Sequence, residues 1–564
     1  MIMKKNKLII ISAIAFVITF YGCAKLERLP ETTFSDLDFW NTEVDLQNAT
    51  NRLYQELVMN DANDVNRVTI VLGGYAPDNR ADDNTNQAIN TISTGSRGIP
   101  STDANWTGPY EMIRTANNIL EKGGKAKVAD AIKNRYFAEA RFFRAYAYSL
   151  LIEKYGDVPL VLRTLAIDDP ELTMGRTARE TVAKTIYEDL DYAATWLPTR
   201  AALPAAQYGR VTKSTAWALK ARVGLEEGTR AKFHGAAGWQ EHLNVAIAAA
   251  NLVMGQGHVL FPNYLGEFTH AGDAITNTEN IFIKQYALTV LTHNTSRDLE
   301  NGRIAPTRNL IRQFLYTDGL PAWNSDQSPS AIRSSLFVPE GNEASYNTIL
   351  DNRDPRLATL VYRAGEQSYQ RAWVPQTSLG SRTAYAGKKG FDAADWASNN
   401  NATVQKNIIR YAEVLLILAE AKFELNESIS DADLNSTINV IRTRAGLSPK
   451  LSNAFVSSNG LSMREEIRRE RTVELALEYF RYGDLIRWKT AEVVMAQPIL
   501  GAKYNATEWV GTNASALTLN ADGVLIVEDA TKRKWNPARD YLYPVPLNEI
   551  ALSNNNVKQN PGWQ

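Results

Sequence analysis

Tyr136, Ala140, Phe143, Ala147 and Leu150 recur at spacings of 4, 3, 4 and 3 between Lys133 and Tyr155. That rhythm matches the 3.6-residue turn and lays all five along one helical stripe, which Gly156 and Pro159 then close. A second stripe follows in Val182, Ile186, Leu190, Ala193 and Leu197, with Thr177 and Glu180 spaced as a capping box and Pro198 as the stop. Ala-rich helices are predicted over about Lys213–Glu227, with Ala216, Leu219 and Val223, and over Glu241–Met254. Near the C-terminus, Tyr411, Leu415 and Leu418 share a face of Asn407–Leu425, and Ala432–Ala445 closes at Gly446. Ser462–Trp488 reads as one charged helix with Glu465/Arg469, Arg471/Glu474 and Glu478/Arg481 spaced for ion pairs. The chain is therefore expected to be mostly α, a loosely repeated scaffold of tetratricopeptide-like helix pairs, although no strict 34-residue period can be written.

Between the two helical halves, about Gly255–Gln405 is rich in Gly, Pro, Asn, Ser and Thr, with Trp and Tyr among the turn formers. Residues 73–109 form a second irregular stretch, and 451–460 and 501–540 are shorter ones. Long loops in folded domains are more often functional than idle, so recognition is expected in the two large inserts.

Composition narrows the options. With 44% hydrophobic and 22% charged residues, disorder and collagen-like repeats are excluded. The 61 Lys and Arg against 62 Asp and Glu leave a net charge of −1, which lacks the basicity of a nucleic-acid binder. One Cys cannot form an intrachain disulfide. At 564 residues the length alone would allow about three domains.

The single Cys has a telling position. Lys4, Lys5 and Lys7 precede the apolar run Leu8–Phe20, broken only by Ser12 and Thr19, and Gly22 then precedes Cys23. A basic segment and an apolar run of this size make an export signal, too short to span a bilayer. The junction resembles a bacterial lipobox, although Phe20 and Tyr21 depart from its usual residues, so residues 1–22 are predicted to be a lipoprotein signal peptide and Cys23 the lipidated residue. The alternatives are a plain signal with a chance Cys or a short membrane anchor. Losing three Lys and no acid, the mature body would carry a net charge of −4.

No catalytic pattern emerges. Glu413 and Glu420, and Glu470 and Glu474, share helix faces, but Arg410, Arg442, Arg444, Arg469, Arg471 and Arg481 surround them in sequence. Scaffold ion pairs are therefore expected rather than the paired carboxylates of a glycosidase. His234, His242, His258, His270 and His293 show no metal-binding spacing, and no phosphate-binding glycine motif occurs. Asp78, Asp82 and Asp83 with Asn79, Asn84 and Asn86 offer oxygen donors without the EF-hand register, so a structural Ca²⁺ is an open alternative and no cofactor or metal is assigned.

Recognition of a glycan needs flat aromatic platforms flanked by polar side chains. Trp40, Trp106, Trp196, Trp217 and Trp488 lie in helical stretches and are expected in the core. Trp323, Trp373 and Trp396, with Tyr316 and near Asn324, Asp326, Arg371, Gln376 and Asp395, are the platform candidates, the alternative being locally buried anchors. Asp78, Asn79, Arg80 and Asp82 are the polar counterpart, with a solvated loop as the alternative.

Nine stretches carry a family resemblance. They are WTGPYEMIRTANNIL from Trp106, EARFFRAYAYSLLIEKYGDVPLV from Glu139, GRVTKSTAWALKARVGL from Gly209, DPRL from Asp354, RYAEVLLILAEA from Arg410, INVIRTRAGL from Ile438, IRRERTVELALEYFRYGDLIRW from Ile467, YLYPVPLNEI from Tyr541 and QNPGW from Gln559. In this order the chain resembles the SusD/RagB family of surface lipoproteins from end to end. The resemblance implies a single SusD-like domain over 23–564, with helical scaffold at about 30–255 and 405–500, a loop-rich insert at about 256–404 and a C-terminal segment at 501–564. It also implies a nutrient-binding lipoprotein held at the cell outer membrane, surface-exposed, that delivers a ligand to a SusC-like TonB-dependent barrel. Glycans are the typical ligands and peptides those of some members. A purely architectural partner of the barrel and, last, a glycoside hydrolase complete the alternatives. Ligand contacts vary within the family, so the site residues above rest on residue chemistry alone.

Overall fold

A computed structural model describes residues 39–57, 78–377, 381–509 and 511–563; the signal segment and Cys23 lie outside them. Helix α1 (Glu43–Gln55) opens on a capping box in which the Asp45 amide donates to Thr42 Oγ1 and the Thr42 amide to the Asp45 carboxylate at 2.8 Å. Helices α2 (Ala104–Lys122), α3 (Asp130–Tyr155), α4 (Arg179–Trp196), α5 (Lys213–His234) and α6 (Trp239–Met254) then pack one against the next. All five stripe residues of α3 and all five of the second stripe are buried in one large core. Gly156 ends α3 at φ 75°, where a side chain would be strained.

The second capping box does not form. Thr177 pairs with Val158 through reciprocal backbone bonds of 2.9 and 3.2 Å, Ala178 takes the cap position of α4, and Glu180 accepts from His242 Nε2 at 2.8 Å. Tertiary partners outcompeted a local motif. Trp196, expected in the core, is 38% exposed at the end of α4, whereas Trp40, Trp106 and Trp488 are buried.

The insert enters and leaves the scaffold through one ribbon. Strand β1 (Asn280–Lys284) runs antiparallel to β2 (Lys406–Arg410), with Asn280 opposite Arg410 and Lys284 opposite Lys406. The chain passes straight from β2 into α7 (Tyr411–Asn426), so the residues expected to open that helix are strand. The insert builds a second apolar cluster, including Phe314, Tyr346, Trp373 and Tyr385, that Leu477 and the C-terminal Trp509 complete. The C-terminal segment adds a second ribbon of β3 (Ile499–Lys503) with β4 (Val524–Glu528) and returns to the N-terminal half. There the Lys534 amide donates to Thr94 O at 2.9 Å and the Tyr543 amide to Lys154 O at 2.7 Å.

The long charged helix breaks in two, α9 (Met463–Glu474) and α10 (Arg481–Arg487), after α8 (Ile438–Ala445). Leu477 and Tyr479 turn the chain at φ 63° and 70°. None of the three expected local pairs forms. Glu465 accepts from Ser325 Oγ at 2.5 Å, Arg471 donates to Asp484 at 2.9 Å, Arg481 to Asp82 at 2.8 Å, and Glu478 accepts from Arg410 at 2.7 Å and Lys389 at 2.6 Å. Charges on a buried helix must find partners wherever the fold supplies them, because an unpaired buried ion costs several kcal/mol, on the order of ten times a local surface pair.

Candidate functional site

The four acids that share faces of the signature helices, Glu413, Glu420, Glu470 and Glu474, are occupied. Arg222 holds Glu413 at 2.6 Å, and Arg487 holds Glu420 at 2.5 Å. Glu470 lies 2.7 Å from both Arg442 and Arg356, and Glu474 contacts Arg356 at 3.0 Å and Arg410 at 2.7 Å. Opposed by burial but overcome by Arg444, Arg410 and Arg356, Glu474 is held far below the usual carboxylate range. Such groups are poor proton donors and are closed off from substrate.

The two irregular stretches nominated from sequence come together. Asn84 and Thr85 pair antiparallel with Pro306 and Ala305, and the Thr307 amide donates to Asp83 O at 3.2 Å. Gln87 Nε2 donates to Asn301 O at 2.9 Å. Gln327 Nε2 donates to Asp82 Oδ2, also at 2.9 Å.

Within this shared region the expected polar contacts are structural. Asp78 is buried under a bidentate pair with Arg80 at 2.8 and 2.9 Å, and Arg80 donates to Tyr543 Oη at 2.9 Å while lying 4.2 Å from the Tyr479 ring centre. Asp82 is buried between Arg481 and Gln327. Asn79 is half-buried and accepts from Asn90 Nδ2 at 2.8 Å. Their hydrogen-bonding capacity is directed inward, which takes Asp78, Arg80 and Asp82 out of a ligand surface. Burial, with the charges of Asp78 and Asp82 added, pushes the Asp83 carboxyl well up, toward its neutral form.

The aromatic candidates divide in the same way. Trp373 and Tyr316 are only 3% and 5% exposed; the first belongs to the insert core and the second lies under Arg353, 4.4 Å from its ring centre. Trp323 and Trp396 are half-buried. Trp323 stands in a tight loop where the Ser330 amide donates to Ala322 O at 3.0 Å and the Asn324 amide to Ser328 O at 2.8 Å. The Arg312 guanidinium covers one face of its indole at 3.7 Å, itself anchored on Glu340 at 2.5 Å. Trp396 lies on the short helix Ala393–Ala397, capped by Asp392. Its Nε1 donates to Glu300 at 2.9 Å, and Arg297 stacks at 3.9 Å. The two indoles share no immediate partner. Each has the same construction, a half-buried ring braced on one face by a paired arginine, which pre-orients it for stacking.

Sequence spacing gave no hint of one cluster. His270 Nδ1 and Nε2 lie 2.8 Å from Asp273 and 3.0 Å from Asp395, and Asp392 is close by. Burial disfavours the charged ring, but the bonds to Asp273 and Asp395 outweigh it and raise the pKa above the usual imidazole value.

Comparison with known proteins agrees with this architecture. The family model described as "SusD family" matches residues 273–563, more than half of the chain. The chain belongs to the SusD family. A second SusD-like model, described as "Starch-binding associating with outer membrane", matches residues 29–225. The SusD-like protein P2 of Formosa agariphila is 27% identical, over the full length of both chains. Among solved structures, a SusD-like carbohydrate binding protein from Bacteroides fragilis superposes with a TM-score of 0.75 at 25% identity, covering 91% of this chain and 99% of that one. A laminarin-binding SusD-like protein shares the fold at a TM-score of 0.58 and 19% identity, covering 93% and 100%. The SusD-family signature residues Asp354, Arg356, Arg410, Glu413, Glu470 and Glu474 are thus the buried ion-pair frame rather than a ligand site.

Proposed function

We propose that this protein is a non-catalytic glycan receptor, lipidated at Cys23, that captures an oligosaccharide or polysaccharide at the outer-membrane surface and hands it to a SusC-like TonB-dependent barrel. Membership of a carbohydrate-binding family supports the ligand class. The observation that carries the reading is the pair of half-buried, arginine-braced indoles, Trp323 and Trp396, on the loop-rich insert. A rigid indole presents an apolar face to sugar C–H groups at little entropic cost, and Asn324, Asp326 and Arg371 stand near with polar groups for hydroxyls. Hydrolysis is disfavoured because Glu413, Glu420 and Glu470, the acids that share faces of the signature helices, are each held by an arginine.

Calorimetric titration with a panel of laminarin, starch and other polysaccharides, with a peptide pool as control, tests this. Binding to a glycan is expected, weakened roughly 10-fold in Trp323→Ala or Trp396→Ala, as follows from losing about 1.4 kcal/mol of stacking. Binding to peptides alone, or glycan binding untouched in the double variant, would overturn the reading. Release of reducing ends by the purified protein would overturn its non-catalytic part.

A further inference from the structure

A large concavity lies on the scaffold, away from the insert indoles. It measures about 700 Å³ and lies between α1, the 206–210 segment that precedes α5, and the end of β1. A second hollow of about 310 Å³ adjoins it, and the two share Tyr208, Gly209, Arg210 and Ile283 as a common wall. Volumes of this order suit small ligands, whose sites span roughly 300–1,000 Å³. Among the described residues, neither hollow has an Asp or Glu in its wall.

Carboxamides dominate the polar part of the larger hollow. Gln47, Gln55 and Gln285 line it, and Gln285 lies against Gly209, where a Cβ would come within 2.8 Å of its Oε1. Arg210 is neutralised from behind by Glu139 at 2.6 Å and fixes Asn51 at 2.6 Å. The Tyr208 hydroxyl, shielded from solvent, has no hydrogen-bond partner within the chain. Val290, 83% exposed, supplies an apolar rim.

We infer that this concavity is a second glycan site, taking a short uncharged oligosaccharide. The inference rests on the glycan reading above. Carboxamides both donate and accept, as sugar hydroxyls do, and the two cations in the wall of the larger hollow are engaged within the chain, Arg210 by Glu139 and Lys284 by Leu57 O. An unpartnered buried hydroxyl destabilises the free protein, and a ligand hydroxyl would satisfy it. An extended peptide fits less well. Strand addition needs free backbone groups along β1, yet Ile281 O accepts from Thr215 Oγ1 at 3.1 Å and Asn280 O from Arg200 at 2.6 Å.

The test uses the full chain in detergent with maltotriose, laminaritriose, cellotriose and xylotriose, and a neutral tripeptide as the contrasting arm, reading hydrogen exchange at residues 43–55 and 204–210 together with calorimetry. At least one trisaccharide is expected to slow exchange there. Tyr208→Phe should weaken that binding roughly 5- to 10-fold without lowering the unfolding midpoint, since the lost hydroxyl has no partner in the free protein. Gln285→Ala, on an exposed residue, should do the same, and the Trp323/Trp396 double alanine variant should leave it intact. Protection by no trisaccharide, protection by the tripeptide alone, or full affinity in Tyr208→Phe and Gln285→Ala would each overturn the second site. If polysaccharides still bind and depend on Trp323 and Trp396, only the second site falls. If no glycan of any length binds, the glycan reading falls with it.

Discussion

Glu420 illustrates how a single side chain couples sequence motif to stability. It is buried on α7, accepts from both Arg487 guanidinium nitrogens at 2.5 and 2.8 Å, and accepts from Trp488 Nε1 at 2.6 Å. Burial opposes its charge, but Arg487 more than compensates and lowers the pKa to about 2. The folded value lies below the unfolded one, so the contribution is present above about pH 4.5 and is lost as pH falls toward 2. It amounts to roughly 3 kcal/mol at neutrality. Glu420→Gln should lower the urea midpoint at pH 7, with the gap from the parent protein narrowing as pH drops below 4.5. A gap that stays constant with pH would show that shape, not charge, matters there. The residue scale is also where sequence reading of the site was weakest. Composition marks Trp323, Trp373 and Trp396 as equal candidates, and Asp78, Arg80 and Asp82 as free polar groups. Burial and partners separate them, and both depend on residues hundreds of positions away, such as Tyr543 for Arg80 and Arg481 for Asp82.

At the scale of elements, apolar periodicity was a sound guide because burying a stripe is the main favourable term of a helix pair. Local signals did less well: the Thr177 capping box, the three i,i+4 and i,i+3 ion pairs and the continuity of Ser462–Trp488 each contribute roughly 0.5–1 kcal/mol or less, and tertiary pairing overrode them. The closeness of α5 to α6 gives a direct test. A Cβ on Gly224 would lie 2.8 Å from the Ala246 amide nitrogen and 2.9 Å from His242 O, both backbone atoms that cannot swing aside. On an exposed helix Gly→Ala would stabilise by about 1 kcal/mol. Here overpacking, at roughly 1–3 kcal/mol, should win, and Gly224→Ala is expected to lower the urea midpoint. A raised midpoint would mean the helices separate at negligible cost.

For the whole molecule, the decisive contacts join distant parts of the chain. The 78–103 region meets both the insert and the C-terminal segment, which length alone would have assigned to separate domains. Among the described residues no helix is long and apolar enough to cross a membrane, so attachment falls to the N-terminal segment in our proposal. Cys23→Ala should abolish metabolic labelling by fatty acid and move the protein out of the membrane fraction. Label that persists would place the lipid elsewhere or exclude the lipobox reading.

Sequence by itself determined the helical class, the family and the two regions where the loops gather, because periodicity and motif order are written in neighbouring residues. Only tertiary structure decided which aromatics face solvent, which acids are neutralised, and that Tyr208 and Gln285 wall a hollow within a stretch that reads as scaffold. Burial and charge pairing depend on which distant segments fold against a residue, and no local pattern of side chains encodes that neighbourhood.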